Sequence, residues 1–381
     1  MLFKLCWVEL VGKIKVLLLV WILIFGLLWS DEENTFAGSE PARVLLISSY
    51  HPGFPTFFQQ VNGIKSVFTE KGIVLDVEFM DKKRFSDDTI ETLFLDLLSY
   101  KLNKTKPYNV IMTADDDALL FLLKHKASLF PTQSAVFFGV NNITKARELN
   151  GRQGITGVIE AVSMKETVQM MLDLLPKTKT VLALVDKTPS SVGDLNTFRA
   201  LSNTYPQVIF RELSLEDHSY TEFADALQKI EGETAVLLLS AYVDKDGNRM
   251  QFNDSLQLIL NNLHKPLFHL WYHGMGEGML GGKVISHEQQ GKTAAELVLR
   301  ILAGESAESI NVVEVSPNIT IVDYNVLDKF GLSLRNIKLT HDSIILNNPF
   351  SFYYQYKYQL WLGALFFISQ TLLILFLFNT I

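Results

Sequence analysis

Between Pro41 and Ala303 the chain repeats one pattern: a short apolar run, a cluster of turn residues, then a stretch with helical periodicity. Ten runs read as strands: VLLIS (44–48), VLDVEFM (74–80), NVIMT (109–113), AVFFG (135–139), GITGVIE (154–160), TVLALVD (180–186), QVIFREL (207–213), TAVLLLS (234–240), PLFHLW (266–271) and GKVIS (282–286). Strands that alternate with helices of ten or more residues argue for βαβ units, and hence for parallel sheets covered on both faces. The pattern falls into two blocks, one before about Val158 and one after about Ala161. The expected fold is therefore α/β with two lobes, 41–158 and 159–285. The late amphipathic run AAELVLRILAG (294–304) and the strand NITIVDY (318–324) are expected to return the chain to the first lobe over 286–324. Residues 325–357 read as an irregular juxtamembrane segment.

Both ends of the chain are apolar. Val16 to Ser30 carries no charge, with Lys4, Lys13 and Lys15 before it and Asp31, Glu32 and Glu33 after it. Lysines stay cytoplasmic under the positive-inside rule, so the chain beyond the apolar run is expected outside the cytoplasm. The run is short for a spanning helix of ~20 residues, and segment 1–30 fits a signal peptide or a membrane anchor equally well. Thr35-Phe36-Ala37 is a weak cleavage candidate, while Cys6 precedes the run and so argues against a lipoprotein site. Tyr358 to Ile381 holds 24 residues without a charged side chain, opened by Tyr353, Tyr354, Tyr356, Tyr358 and Trp361. This is the pattern of a transmembrane helix, expected over 358–379. The two ends are expected to hold the chain in a membrane with its main domain outside the cytoplasm.

Composition and motifs remove several functions. With 34 basic against 41 acidic residues the net charge is −7, which gives no general reason to bind nucleic acid. One cysteine excludes an intramolecular disulfide framework, a cysteine zinc site and a CxxC redox pair. His51, His269, His273 and His287 lack the spacing of a zinc set. DKDGNRMQF (244–252) has Arg249 where a calcium loop needs glycine and Ser255 where it needs glutamate, so it reads as a turn. GMGEGMLGG (274–282) lacks the ending of a P-loop and reads as a mobile segment at a cleft rim or between strands. No G-x-S-x-G, H-E-x-x-H or S-x-x-K occurs at a strand-to-helix turn. Neither a cofactor nor an enzymatic activity is expected.

In open parallel sheets ligands bind beyond the carboxyl ends of strands. In the first block those positions are Ser48, Ser49, Tyr50 and His51; Asp81, Lys82 and Arg84; Thr113, Asp115 and Asp116; Gly139, Val140 and Asn141. In the second they are Asp186, Lys187 and Thr188; Ser240, Ala241 and Tyr242; Trp271, Tyr272, His273 and Gly274. Hydroxyls, amides and aromatics of this kind orient small ligands in pockets. Two alternatives stand beside that reading. Asp115, Asp116 and Asp117 open a helix, where aspartate ordinarily caps, and Ser48 and Ser49 can serve only to satisfy a turn.

The runs VLLISSYHPGFPTFFQQVNGIKSVF, VEFMDKKRF, TADDDALLFL, AVFFGVNN, LLLSAYVDKDGNRM, GMGEGMLGGKVIS, GKTAAELVLRILAGES and IILNNPFSFYYQYKYQLW together resemble a known family over residues 43 to 361. It comprises the ABC-transporter-type substrate-binding domains that form extracytoplasmic sensors of bacterial histidine kinases and diguanylate cyclases. The resemblance implies an α/β type I periplasmic-binding-protein fold of two Rossmann-like lobes, flanked here by the N-terminal signal or anchor and the C-terminal transmembrane helix, and a place in a bacterial inner membrane with the main domain periplasmic. It also implies a solute in the cleft between the lobes and a multi-strand hinge. By analogy the ligand-binding residues are Ser49, Tyr50, Asp115, Asp116, Asn141, Tyr242 and Trp271. Family sensors continue into cytoplasmic modules, whereas this sequence ends at Ile381, so the expectation is a membrane-anchored solute sensor without its own output domain. A tethered solute-binding component serving an ABC permease is the alternative. A kinase, a cyclase, a permease and a second copy of the chain are the partners these readings imply.

Overall fold

The computed structural model describes residues 40–380 apart from 55, 83, 86, 153, 350 and 351. The expected N-terminal signal or anchor and its cleavage candidate lie outside the described residues. Strands β1 (Arg43–Ser48), β2 (Val74–Phe79), β3 (Val110–Ala114), β4 (Ser134–Val140) and β5 (Ile155–Ile159) pair in parallel in the order β2-β1-β3-β4-β5. Helices α1 (Phe57–Phe68), α2 (Asp88–Leu102), α3 (Asp116–Leu129) and α4 (Ile143–Glu148) supply the crossovers. The apolar runs are continuous because both faces of this sheet are covered. In β1, Val44 and Leu46 join one core, which contains Phe68 of α1, and Leu45 and Ile47 join the other, which contains Phe121 of α3.

The second sheet has the order β12-β11-β10-β9-β8-β6-β7. It contains β6 (Thr180–Val185), β7 (Ile209–Ser214), β8 (Thr234–Leu238), β9 (Leu267–His269), β10 (Gly281–Val284), β11 (Ile319–Asp323) and β12 (Ile344–Leu346). The same division recurs: Val181 and Ala183 of β6 face one core, Leu182 and Leu184 the other. Helices α5 (Met164–Leu174), α6 (Pro189–Ala200), α7 (Tyr220–Gln228) and α8 (Phe252–Asn262) follow its crossovers. Each of the ten expected runs carries a strand.

Two expectations need correction. The strand expected to return to lobe 1 instead pairs antiparallel with β10, placing β11 in lobe 2. The return is made earlier, by α9 (His287–Leu302), whose Ala294, Leu297 and Val298 pack into the lobe 1 core. It ends where Val313 bridges Val158 beside β5. The supposedly irregular 325–357 also holds α10 (Tyr324–Lys329) and β12, which pairs in parallel with β11. The last helix, α11 (Phe352–Thr380), covers the expected 358–379. Its segment Gln355–Thr380 is long and apolar enough to cross a membrane, and none of its apolar window is buried.

Helices α1 and α9 meet at glycines. A Cβ on Gly63 would lie 2.0 Å from the Glu288 carbonyl oxygen, and one on Gly291 would lie 2.2 Å from that of Gln60. Only hydrogen fits at either position, and this contact seats α9 on lobe 1 although β10, just before it, belongs to lobe 2.

The chain crosses between lobes three times, at 160–163, 285–287 and 314–318. Asn318 Nδ2 donates to the Ala161 carbonyl at 2.7 Å and to Ser163 Oγ at 2.9 Å, tying the third crossing to the first. Gln290, fully buried at the start of α9, donates to Ile159 O and Ser316 Oγ, both at 3.0 Å. Buried amides are costly unless bonded, so these two side chains fix how the three crossings run together.

Candidate functional site

The carboxyl ends of both sheets border the crossings. On lobe 1, Tyr50 comes after β1 and stacks on Phe54 with ring centroids 3.9 Å apart. Its hydroxyl donates to Asp115 Oδ2. Asp115 caps α3, its Oδ1 accepting from Asp116 N at 2.6 Å, and its φ of +78° is a conformation that non-glycine residues rarely hold. Such strain costs on the order of 1–3 kcal/mol and persists where the surroundings hold the residue in place. Burial raises the Tyr50 pKa well above its ordinary value, and the carboxylates of Asp115, Glu160 and Asp116 add to the rise.

The other residues of this lobe chosen from the sequence divide. Ser49 is fully buried, donating to Ala114 O at 3.0 Å and accepting from Ala118 N at 2.8 Å, so its hydroxyl secures the turn to α3. Asp116 accepts from Asn141 N and Asn142 N, both at 3.1 Å, and clamps the loop after β4. Asn141 is exposed at that strand end. Tyr50 and Asp115 are brought together; Ser49 and Asp116 serve the loops around them.

Next to this pair lies a group that the strand-end reading did not select. Glu160 ends the lobe 1 sheet at the first crossing, and its Oε2 sits 3.5 Å from Nδ1 of His287, at the second crossing. Gln60 of α1 is 2% exposed. Among the described residues, neither His287 Nδ1 nor Gln60 Oε1 has a hydrogen-bond partner. A methyl built on Gly139 would be 3.6 Å from Asp115 N, 3.6 Å from Gln60 Nε2 and 3.8 Å from Glu160 Oε2, so these groups wall a common notch.

On lobe 2, Asp186 after β6 organises the loops. It accepts from Ser240 Oγ at 2.7 Å, Thr188 Oγ1 at 2.6 Å and Tyr242 N at 2.8 Å. Burial opposes its charge, but these bonds prevail and hold its pKa below the usual value. Tyr242 is half-buried, its hydroxyl pKa pushed up to about 12 by burial and then by Asp186. Trp271 is also half-buried, resting on the lobe 2 core and 5.1 Å from the His269 ring. Phe252 lies 6.4 Å from Tyr242 and 4.4 Å from His273, so Tyr242, Phe252, His273, His269 and Trp271 form one aromatic wall.

Hydrogen bonding fixes the two histidine tautomers. His269 Nδ1 lies 2.9 Å from Leu238 O, which only accepts, so Nδ1 carries the proton. The bare Nε2 then accepts from His273 Nε2 at 3.3 Å. Burial and the neighbouring His273 lower the His269 pKa to about 3. His273 falls to about 4, through burial and then His287. Solvent reaches the His273 ring although protein encloses most of it, as on a concave wall. On α6, burial alone raises Asp194 to about 6.

Other motifs have structural uses. Asp244 accepts from Asp246 N at 3.0 Å and Asn248 N at 2.8 Å, closing the calcium-like loop on its own backbone. The glycine-rich segment joins β9 to β10; Gly281, at φ +148°, would place a Cβ 2.0 Å from Ile321 O. Arg84 pairs with Asp81, and Lys82 donates to Asp87 O at 3.2 Å. Pockets of about 370 Å³ beside Lys165 and Lys283, and about 550 Å³ beside Leu174 and Phe330, lie on lobe 2 away from the strand carboxyl ends.

Two sheet lobes joined by three crossings, with polar and aromatic side chains at the carboxyl ends of their parallel strands, are the architecture of the type I class of periplasmic binding proteins. Residues 55–341 match the family of ABC transporter substrate binding proteins, and the chain belongs to it. The fold is similar to CD0873, a substrate binding protein with adhesive properties from Clostridium difficile in its ligand-free, open structure. That comparison has a TM-score of 0.60 and 14% identity, covering 81% of this chain and 100% of that one. An ABC domain from Streptococcus pneumonia in complex with L-Trp gives a TM-score of 0.51 at 13% identity, covering 81% and 100%. A conserved domain protein from Vibrio cholerae gives 0.50 at 13% identity, covering 80% and 100%. No curated protein matches the chain.

Proposed function

We propose that this chain is a membrane-anchored extracytoplasmic sensor whose lobes close on a small solute. What supports the reading is the pair of side-chain groups at the strand carboxyl ends of the two sheets, Tyr50 and Asp115 on lobe 1 and Tyr242 and Trp271 on lobe 2, which we read as the two walls of one cleft. These four are the proposed ligand-binding residues. The solved relative with L-Trp supports a ligand of small size. The C-terminal helix supports the anchor, since its exposed apolar length suits a bilayer better than water. The sensing role draws on connectivity. The third crossing leads through β11 and β12 to α11, which begins at Phe352, six positions after β12 ends at Leu346. A change of lobe angle then reaches the membrane segment over a short tether.

The test is a thermal-shift screen of the detergent-solubilised full chain against solute libraries. A ligand at 100 times its Kd should stabilise by about 2.7 kcal/mol. Trp271→Ala and Tyr242→Ala should weaken that ligand about tenfold or more, a larger effect than their cost to the ligand-free fold, which the melting temperature without ligand measures. Spin labels at positions 71 and 348, in a Cys6→Ser background, should report a ligand-dependent distance change. Solute binding without that change favours delivery to an ABC permease over sensing.

A further inference from the structure

We propose that the pocket at the end of lobe 2 away from the crossings docks on anionic phospholipid headgroups of the bilayer that holds α11. This rests on the membrane-anchor reading and names the surface that the anchor brings to the lipid. The path of the chain decides which end of lobe 2 meets the membrane. Strand β11 runs antiparallel to β10 and pairs Val322 with Gly281, so its carboxyl end at Asp323 lies with the amino ends of the parallel strands. Strand β12 pairs Leu346 with Asp323, and Asn347 Nδ2 donates to Asp323 Oδ2 at 3.0 Å. The chain therefore leaves the sheet at that end. Positions 347–351 separate β12 from α11 and span about 18 Å at full extension, and the helix from Phe352 to Lys357 adds about 9 Å before the uncharged run begins at Tyr358. Leu346 thus stays within about 27 Å of the hydrocarbon, with Tyr358 and Trp361 at headgroup level.

The independent observation is the pocket itself. It measures about 550 Å³ and lies at the amino ends of β6, β8 and β9. Leu175, Phe330 and Leu332 give it an apolar lining, and Lys177, His264 and Lys265 give it a basic one. Glu233, the one acid among its lining residues, is paired with Lys179 at 2.7 Å, and that bond holds its pKa below the usual value. Lys177 is exposed and forms no ion pair among the described residues, acting on Glu233 only at longer range. Lys265 donates to Gly232 O at 2.8 Å, which leaves its charge uncancelled. Nearby, Lys229 and Lys329 stand against Glu231 and Asp328, so the pocket lysines set the sign of this end. The chain as a whole carries −7, and a basic surface at the end that meets the membrane runs against that composition. Surface binding to lipid draws on apolar burial together with attraction to anionic headgroups. An apolar hollow with ammonium groups at its wall offers both, a phosphate meeting the lysines and the glycerol the apolar lining.

The test places the full chain, in a Cys6→Ser background, in nanodiscs whose lipids carry a nitroxide on the headgroup. A single fluorophore sits at position 207, exposed in the loop before β7 at the same end of lobe 2, or at position 71, exposed on lobe 1. In discs containing phosphatidylglycerol the label at 207 should be quenched about threefold or more beyond the label at 71, and 1 M NaCl, with a Debye length of about 3 Å, should remove most of that excess. Lys177→Glu and Lys265→Gln should each reduce it, with the melting temperature as the folding control for both variants. The proposal falls if the two labels are quenched equally, if phosphatidylcholine discs quench 207 as strongly, or if neither variant alters the quenching. Glycerol 3-phosphate in solution is the other arm: a thermal shift lost in Lys177→Glu, without excess quenching, makes the pocket a site for a free phosphate ester and overturns the bilayer as its occupant. A chain that fails to co-elute with the discs refutes the anchor reading and this proposal with it, whereas co-elution without excess quenching overturns this proposal alone.

Discussion

Acid should unfold this protein through His269, and the size of the effect is set by its surroundings. The ring is fully buried in lobe 2, neutral, with Nδ1–H given to Leu238 O and Nε2 accepting from His273. Its folded pKa of about 3 lies below the 6.5 of the unfolded chain. The unfolded state therefore binds the proton first as pH falls. Stability is complete above about pH 6.5 and is lost as pH drops toward the folded value. At pH 5 the loss from His269 alone is about 2 kcal/mol. His273, lowered to about 4 but reached by solvent, adds about 1 kcal/mol after discounting for screening. The perturbation is His269→Gln, which does not titrate in this range. Urea unfolding of wild type and variant from pH 7.5 to 5.0 separates the titration from the packing lost at every pH. The wild type should lose about 2 kcal/mol more than the variant over that interval. Parallel pH profiles would refute the argument, since they would mean that His269 takes its proton equally in both states.

Two further outcomes are expected from the structure. Gly63→Ala gains about 1 kcal/mol of helix propensity, yet its Cβ would sit 2.0 Å from a backbone oxygen that cannot rotate away, so a net loss of about 2 kcal/mol or more is expected in thermal melts. For Asp194, a folded pKa of about 6, above the ordinary 3.8, means that the wild type loses stability as pH rises through that window. Asp194→Asn should therefore be more stable than wild type at pH 7, by about 1 kcal/mol after allowing for partial exposure, with the gain gone near pH 4.

The lobes were legible because a parallel sheet covered on both faces demands unbroken apolar runs, and runs such as TVLALVD and AVFFG meet that demand in a way few other structures allow. The path of 286–324 was not. NITIVDY has the apolar pattern of a strand but nothing in it states a partner, and pairing with β10 is decided by where the hinge delivers it. The site was half legible for a similar reason. Strand-end reading selected Tyr50, Asp115, Tyr242 and Trp271, which remain the proposed ligand-binding residues. It also selected Ser49 and Asp116, because a hydroxyl or carboxylate that secures a turn has the same sequence signature as one that meets a ligand. Glu160 was passed over although it is the one charge in GITGVIE, the signal that would have found it. Gln60 lies inside α1, where only the packing of α9 reveals that its amide faces inward.

The position of the charges sets what a ligand must do to close the lobes. Moving a two-state equilibrium from 1:99 to 99:1 requires about 5.5 kcal/mol of differential binding. One charge-assisted hydrogen bond contributes about 1.5–3 kcal/mol, and an aromatic contact about 0.5–1.5 kcal/mol. No single contact reaches the requirement, so several must form together. Glu160 and His287 stand on different crossings, and His273 on lobe 2 feels the charge of His287. A ligand held only by lobe 1 would gain the same contacts in open and closed forms, and would bind without shifting the equilibrium. Closure must come from groups that touch it only when the lobes meet, the role proposed here for Trp271 and Tyr242. If Trp271 and Tyr242 have that role, their substitution should abolish the conformational response before it abolishes binding, whereas substitution of Tyr50, on lobe 1, should weaken both together.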